Sequence, residues 1–115
     1  MALHPSVQAL HALGKPLRDD DFALIEQAHP YIDALPAHPT RDDVAALLSM
    51  LPANGDTASG LNWTILHRIE ASPDWPIWDL LDQPEHEWHQ ILRQRLMNGG
   101  VKPPSRTFWQ KILKR

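Results

Sequence analysis

The sequence predicts an all-α fold: an irregular bundle of five to seven short helices joined by Pro-rich turns, in a single domain spanning residues 1–115. Three observations predict it. Apolar residues recur at helical spacing in segment after segment. Eleven Pro residues and a few Gly residues interrupt those segments at short intervals. No run sustains the period-two alternation of a half-buried strand.

The elements follow in order. Leu3, Val7 and Leu10 share one stripe, closed by Gly14. Phe22, Ile25, Ile32 and Leu35 form a second, and Pro30 within it predicts a kink or break, because Pro lacks the N–H that a helix interior needs. Val44, Leu47, Leu48 and Leu51 fall at i, i+3, i+4 and i+7, with Thr40 as N-cap and Asp43 near the positive helix end, so a helix is expected over Thr40–Leu51. Pro52 and Asn54-Gly55 stop it, and the polar run NGDTASG reads as a loop long enough to reach another element.

A fourth helix is expected from about Gly60 to Ala71, with Leu61, Ile65, Leu66 and Ile69 inward and Ser72-Pro73 as its end. Asp74 as N-cap and Pro76 in a first turn predict a short helix over Trp75–Leu81, with Trp75, Trp78 and Leu81 on one face. Pro84 at another first turn, followed by Glu85 and Glu87, starts a helix whose stripe is Trp88, Ile91, Leu92, Arg95 and Leu96, capped by Asn98-Gly99-Gly100. After Pro103-Pro104, SRTFWQKILKR predicts a short amphipathic basic helix.

Composition narrows the function classes. Hydrophobic residues make up 43% and charged residues 22%, ordinary values for a globular chain that folds. The absence of Cys excludes a disulfide framework and a thiolate metal site and suits a reducing compartment, so a cytoplasmic location is expected. The N-terminus MALHPSVQALHALGK has no basic n-region before an apolar run. No window reaches the roughly 18 consecutive apolar residues of a membrane span, so no membrane partner is expected. The net charge is −3, unevenly spread: seven acids face three bases from Met1 to Ala46, and five bases with no acid lie from Gly99 to Arg115. An acidic body could steer a basic partner, and the basic tail could touch nucleic acid or fold back on the body.

Catalytic machinery is hard to find. His86-Glu87-Trp88-His89 falls one residue short of the zinc-protease pattern, in which two His at i, i+4 present both imidazoles to one metal. With Glu85, Glu87, Gln90 and Arg93 around it, this stretch reads as an exposed polar face, and no metal is assigned. His4, His29 and His38 each precede a Pro, which suits helix starts and turns. Trp63, His67 and Glu70 line up at i, i+4 and i+7, but a His–Glu pair without a nucleophile or substrate pocket reads as structural. There is no G-x-S-x-G, no phosphate-cradling Gly loop and no G-x-G-x-x-G. The expectation is a binding protein, not an enzyme, with no cofactor.

The run LPANGDTASGLNWTILHRIEASPDWPIWDLL, followed by Trp88 and by Leu92, Arg95, Leu96 and Asn98 as L-x-x-R-L-x-N, resembles small immunity proteins encoded beside bacterial polymorphic and contact-dependent inhibition toxins. The resemblance covers Val44 to Asn98, about half the chain; the first third and the basic tail have no counterpart in it. It implies a protein that binds a cognate toxin domain in the cytosol and occludes its active site or the surface that reaches the target. For a nuclease toxin with a basic cleft, an acidic surface would steer association and mimic phosphate. Two surfaces qualify: Asp19, Asp20, Asp21, Asp42 and Asp43, or Asp74, Asp79, Asp82 and Glu85 flanking Trp75 and Trp78. The second has both charge and aromatic anchors and is preferred, although for both rings burial in the core is favoured over exposure. The alternative function is a small nucleic-acid-associated regulator using the basic helix from Ser105 to Arg115.

Overall fold

The computed structural model describes residues 3–101, so the basic C-terminal segment lies outside the described residues. Five α-helices and one 3-10 turn account for the regular structure: α1 Pro5–His11, α2 Phe22–Asp33, α3 Arg41–Ser49, α4 Leu61–Glu70, the turn Trp78–Leu80, and α5 Glu87–Asn98. No strand occurs among the described residues.

Local chemistry explains where these helices start. His4 caps α1, its Nδ1 accepting from the Ser6 N–H at 3.2 Å. Asp21 caps α2 by accepting from the Leu24 N–H at 3.1 Å. Thr40 and Asp43 form a reciprocal capping box on α3, and Asp43 also accepts from the His4 N–H at 2.9 Å, which ties the start of α1 to the start of α3. At the other end, the Val101 N–H bonds Leu96 O and the Gly100 N–H bonds Met97 O, a Schellman closure that needs the left-handed conformation of Gly100 (φ +83°).

Helix α1 packs on α2 and α3, and α4 packs on the same two, so four helices enclose one core. Val7, Leu10, Ala28, Ile32, Val44, Leu47, Ile65, Leu66 and Ile69 fill it. Helix α5 is fastened by Trp88, which is fully buried and meets Trp63 edge-on at 5.1 Å between ring centroids. Its outer side is fixed by Arg95, which donates from Nε and Nη2 to the Glu70 carboxylate at 2.7 and 2.9 Å.

The loop from Pro52 to Gly60 does reach another element, and it reaches several. Asp56 Oδ1 accepts from the N–H groups of Asp19 and Ala58, both at 2.8 Å, and its carbonyl accepts from Asn62 Nδ2 and Trp88 Nε1. Asp19 returns the contact by accepting from the Ser59 N–H and hydroxyl. Ala58, Ser59 and Gly60 take consecutive positive φ angles of 48°, 55° and 91°. A non-Gly residue in that region costs about 1 kcal/mol or more, and the converging hydrogen bonds offset it.

Four sequence expectations are corrected. Helix α2 runs through Pro30 without a break, and His29 sits inside it instead of in a turn. The inward face of α2 is Leu24, Ala28 and Ile32, which leaves Phe22 73% exposed. The segment after Asp74 forms only the three-residue turn Trp78–Leu80, which no side chain caps: Ser72 Oγ accepts from the Asp74 N–H ahead of it, and Ile77, at the N-cap position, is itself buried; the Trp75–Pro76 peptide is cis. Helix α5 begins at Glu87, later than Pro84, because the Glu87 N–H bonds Ala53 O at 2.8 Å and the His86 backbone is extended.

Candidate functional site

The six residues singled out as partner-binding lie on the irregular stretch between α4 and α5, which emerges beside the C-terminal half of α3. Trp78 is 7% exposed and belongs to the core, so it offers no anchor at the surface. Trp75 packs on the core and remains half-buried. Asp74, Asp79 and Glu85 are exposed and Asp82 is half-buried. Asp79 forms a two-pronged ion pair with Arg41 at the start of α3. That hydrogen bond holds the Asp79 carboxyl below the usual carboxylate range. Arg41 also feels Asp42 and Asp74. The two acidic surfaces proposed from sequence are therefore joined at Arg41.

The structure separates them in another respect. Asp19 and Asp21 are engaged in the loop clasp and the α2 cap, and Asp43 is buried in its capping box. Of that first group only Asp20 and Asp42 remain as outward charges that no cap or clasp uses. Of the second group, Asp79 and Asp82 line a surface cleft of about 540 Å³, together with Ala45, Leu48, Leu51, Leu80 and Gln83. A neighbouring hollow lined by Asp82, Gln83, Pro84 and Glu85 continues it past Ala53.

His86 and His89 line the same cleft. The expected exposed polar face is corrected here: His89 is 4% exposed and Arg93 6%. The reason is a set of backbone carbonyls that the irregular stretch leaves without helical partners. Arg93 Nη1 donates to Leu81 O at 2.8 Å and to Gln83 O at 3.3 Å, and His86 Nε2 lies 3.0 Å from Leu51 O. The two imidazoles stack at 4.5 Å between centroids, tilted by 49°. Burial, with the charges of His86 and Arg93 adding to it, lowers the His89 pKa to about 4, and burial also lowers that of His86. Both rings are thus neutral at neutral pH. Their Nδ1 atoms are buried without a hydrogen-bond partner.

Periodicity does not single out His89 and Arg93, although a signal exists. Residues 88, 89, 92, 93 and 96 form one continuous helical arc, so His89 and Arg93 stand beside Trp88, Leu92 and Leu96 on the inward side. His67 and Glu70, by contrast, pair at 3.5 Å on the surface of α4, and Glu70 gives its stronger contacts to Arg95. Among the described residues, no group of three or more His, Asp or Glu is placed to hold a metal ion, and no helix is long and apolar enough to cross a membrane. The basic segment of the alternative reading, Ser105–Arg115, lies outside the described residues. No family model matches the chain, and neither the curated proteins nor the solved structures searched contain a match to it.

Proposed function

We propose that the chain is an immunity protein that binds a cognate bacterial toxin domain in the cytosol and neutralises it by covering its active site or target-binding surface. The observation that carries the proposal is the acidic margin of the cleft, where Asp79, Asp82 and Glu85 stand together, with Asp74 and Asp42 reaching the same side through Arg41. The charge of the whole body supports it. Residues 3–101 hold all fourteen acids and six of the eleven bases. Two of those six bases are spent on Asp79 and Glu70, and a third, Arg93, is buried. Such a surface accelerates encounter with a basic partner and disfavours like-charged ones. The resemblance over Val44–Asn98 supports the same reading and supplies the partner class.

The test is co-purification with the product of the adjacent gene, followed by charge reversal at Asp79 and Asp82. The wild-type chain should bind that product and protect cells from it. The Asp79→Lys/Asp82→Lys variant should bind at least about tenfold more weakly, mostly through slower association. A wild-type chain that neither binds nor protects sinks the proposal, and binding unchanged by the double reversal removes this surface.

A further inference from the structure

Three Asn residues are spread along the chain, and two of them, Asn54 and Asn98, precede Gly. That pairing matters chemically, because Gly has no side chain to keep its backbone nitrogen away from the amide carbon of the Asn before it. The fold treats the two pairs differently. Asn98 is the last residue of α5; its Oδ1 accepts from Gln94 Nε2 at 2.9 Å, and the Gly99 N–H is drawn along the helix axis to Arg95 O at 3.1 Å. Asn54 is exposed in the loop before α4, in a turn whose closing bond, from the Gly55 N–H to Pro52 O, is 3.3 Å long and beyond the usual range. Its Oδ1 accepts from the Asp56 N–H at 3.2 Å.

We propose that Asn54 is a self-modification site, at which the Gly55 nitrogen displaces the side-chain amide as ammonia and water opens the resulting succinimide to aspartate or isoaspartate. In the first step the Gly55 nitrogen gives its proton to solvent base and bonds to Asn54 Cγ, and the Cγ–Nδ2 bond breaks as Nδ2 leaves with a proton from solvent. In the second, water adds to either carbonyl of the ring and the C–N bond at that carbonyl breaks. Water is the sole co-reactant. The Asp56 N–H already sits on the oxygen that gathers negative charge when Cγ is attacked. Replacing Gly55 is no escape from the reaction without strain: its φ is +72°, and the Glu87 carboxylate lies against its backbone where a Cβ would stand.

The position of Asn54 gives the reaction a structural effect. It lies between Ala53, whose carbonyl accepts the Glu87 N–H at the start of α5, and Asp56, on which the loop converges. An isoaspartyl link carries the chain through the side-chain carbons, so one more backbone atom enters between those two anchors, and the freed carboxylate arrives close to those of Asp56 and Glu87. Ala53 also lines the cleft, so conversion of Asn54 acts on the margin assigned to the partner. The reaction itself needs no partner and is independent of the immunity reading.

The experiment ages the full chain in mildly alkaline buffer, folded and in urea, and follows each Asn by peptide mapping with mass spectrometry, isoaspartate being marked by enzymatic methyl transfer. In the folded chain Asn54 should convert at least about tenfold faster than Asn98. In urea the two rates should converge, since both pairs are then Asn-Gly in an open chain. Asn54→Gln should abolish the signal at position 54 and leave that at Asn98 unchanged. In the isolated isoaspartyl chain the amide resonances of Asp19, Ala58 and Glu87 should move, whereas in Asn54→Asp, which adds the charge on a normal backbone, they should stay close to those of the parent. No conversion of Asn54, equal rates in the folded chain, or a ratio that persists in urea would overturn the site. An isoaspartyl chain whose spectrum matches that of Asn54→Asp would overturn its link to the clasp and to the start of α5.

Discussion

Helices α4 and α5 each place ionisable residues beside an apolar stripe, and they dispose of them in opposite ways. In α4, Ile65, Leu66 and Ile69 turn inward and His67 and Glu70 stay at the surface. In α5, His89 and Arg93 turn inward together with Trp88, Leu92 and Leu96, while Arg95 is left outside. The difference lies in what each helix packs against. Helix α4 faces the regular helix α2, whose backbone groups are already paired within it. Helix α5 faces Leu51 and the stretch 72–86, whose carbonyls have no helical donor and are covered by protein. A buried guanidinium supplies the missing donors, so a charged side chain in the interior is here the counterpart of an irregular backbone.

If that account holds, the sharpest break comes at Arg93. Arg93→Ala removes the donor to Leu81 O and the side-chain donor to Gln83 O, which keeps only the His86 N–H, and it empties a buried site, so a loss of about 3 kcal/mol is expected in a denaturant midpoint measurement. Arg95→Ala on the opposite side should lose less than about 1 kcal/mol. Equal effects would remove the distinction between the two faces.

A smaller effect is expected from His89 and depends on pH. Its pKa is lowered from 6.5 to about 4 in the folded chain, chiefly by burial. Between those values the unfolded chain binds more protons than the folded one. The stability associated with the neutral ring is therefore complete above about pH 6.5 and declines as the pH falls toward 4. Between pH 7 and pH 5 the loss should reach about 2 kcal/mol. His89→Leu should flatten that part of the profile, and an unchanged slope would show that the ring does not titrate as its burial implies. The smallest effect belongs to the surface of α4. Glu70→Gln weakens the ion pair to Arg95, and because both side chains are partly solvated a change of about 0.5 kcal/mol is expected, shrinking further in salt.

The same contrast explains how far the sequence could be read. Where a helix packs on another helix, its apolar period is sufficient: Val44, Leu47, Leu48, Ile65, Leu66 and Ile69 are all buried as their spacing predicts. The cap at Thr40 follows from side chains that act on near neighbours. The stretch 72–86 obeys neither rule, because its conformation answers to partners far along the chain. Trp78 is drawn into the core, and Glu87 takes its start signal from Ala53. The acidic residues of the cleft were legible as charges. Their arrangement round His86 and His89 was not, since it depends on which way α5 is turned about its axis.

The clasp around Asp56 has a consequence for the dynamics of the whole chain. It joins the connection between α1 and α2, the start of α4 and the first turn of α5 through the N–H groups of Asp19 and Ala58 and the side chains of Asn62 and Trp88. Loss of the Asp56 carbonyl contact would strand the buried side chains of Asn62 and Trp88 together. The amides of Asp19 and Ala58, which share Asp56 Oδ1, should therefore exchange with deuterium at one common rate, set by a single cooperative opening, although they lie far apart in the sequence.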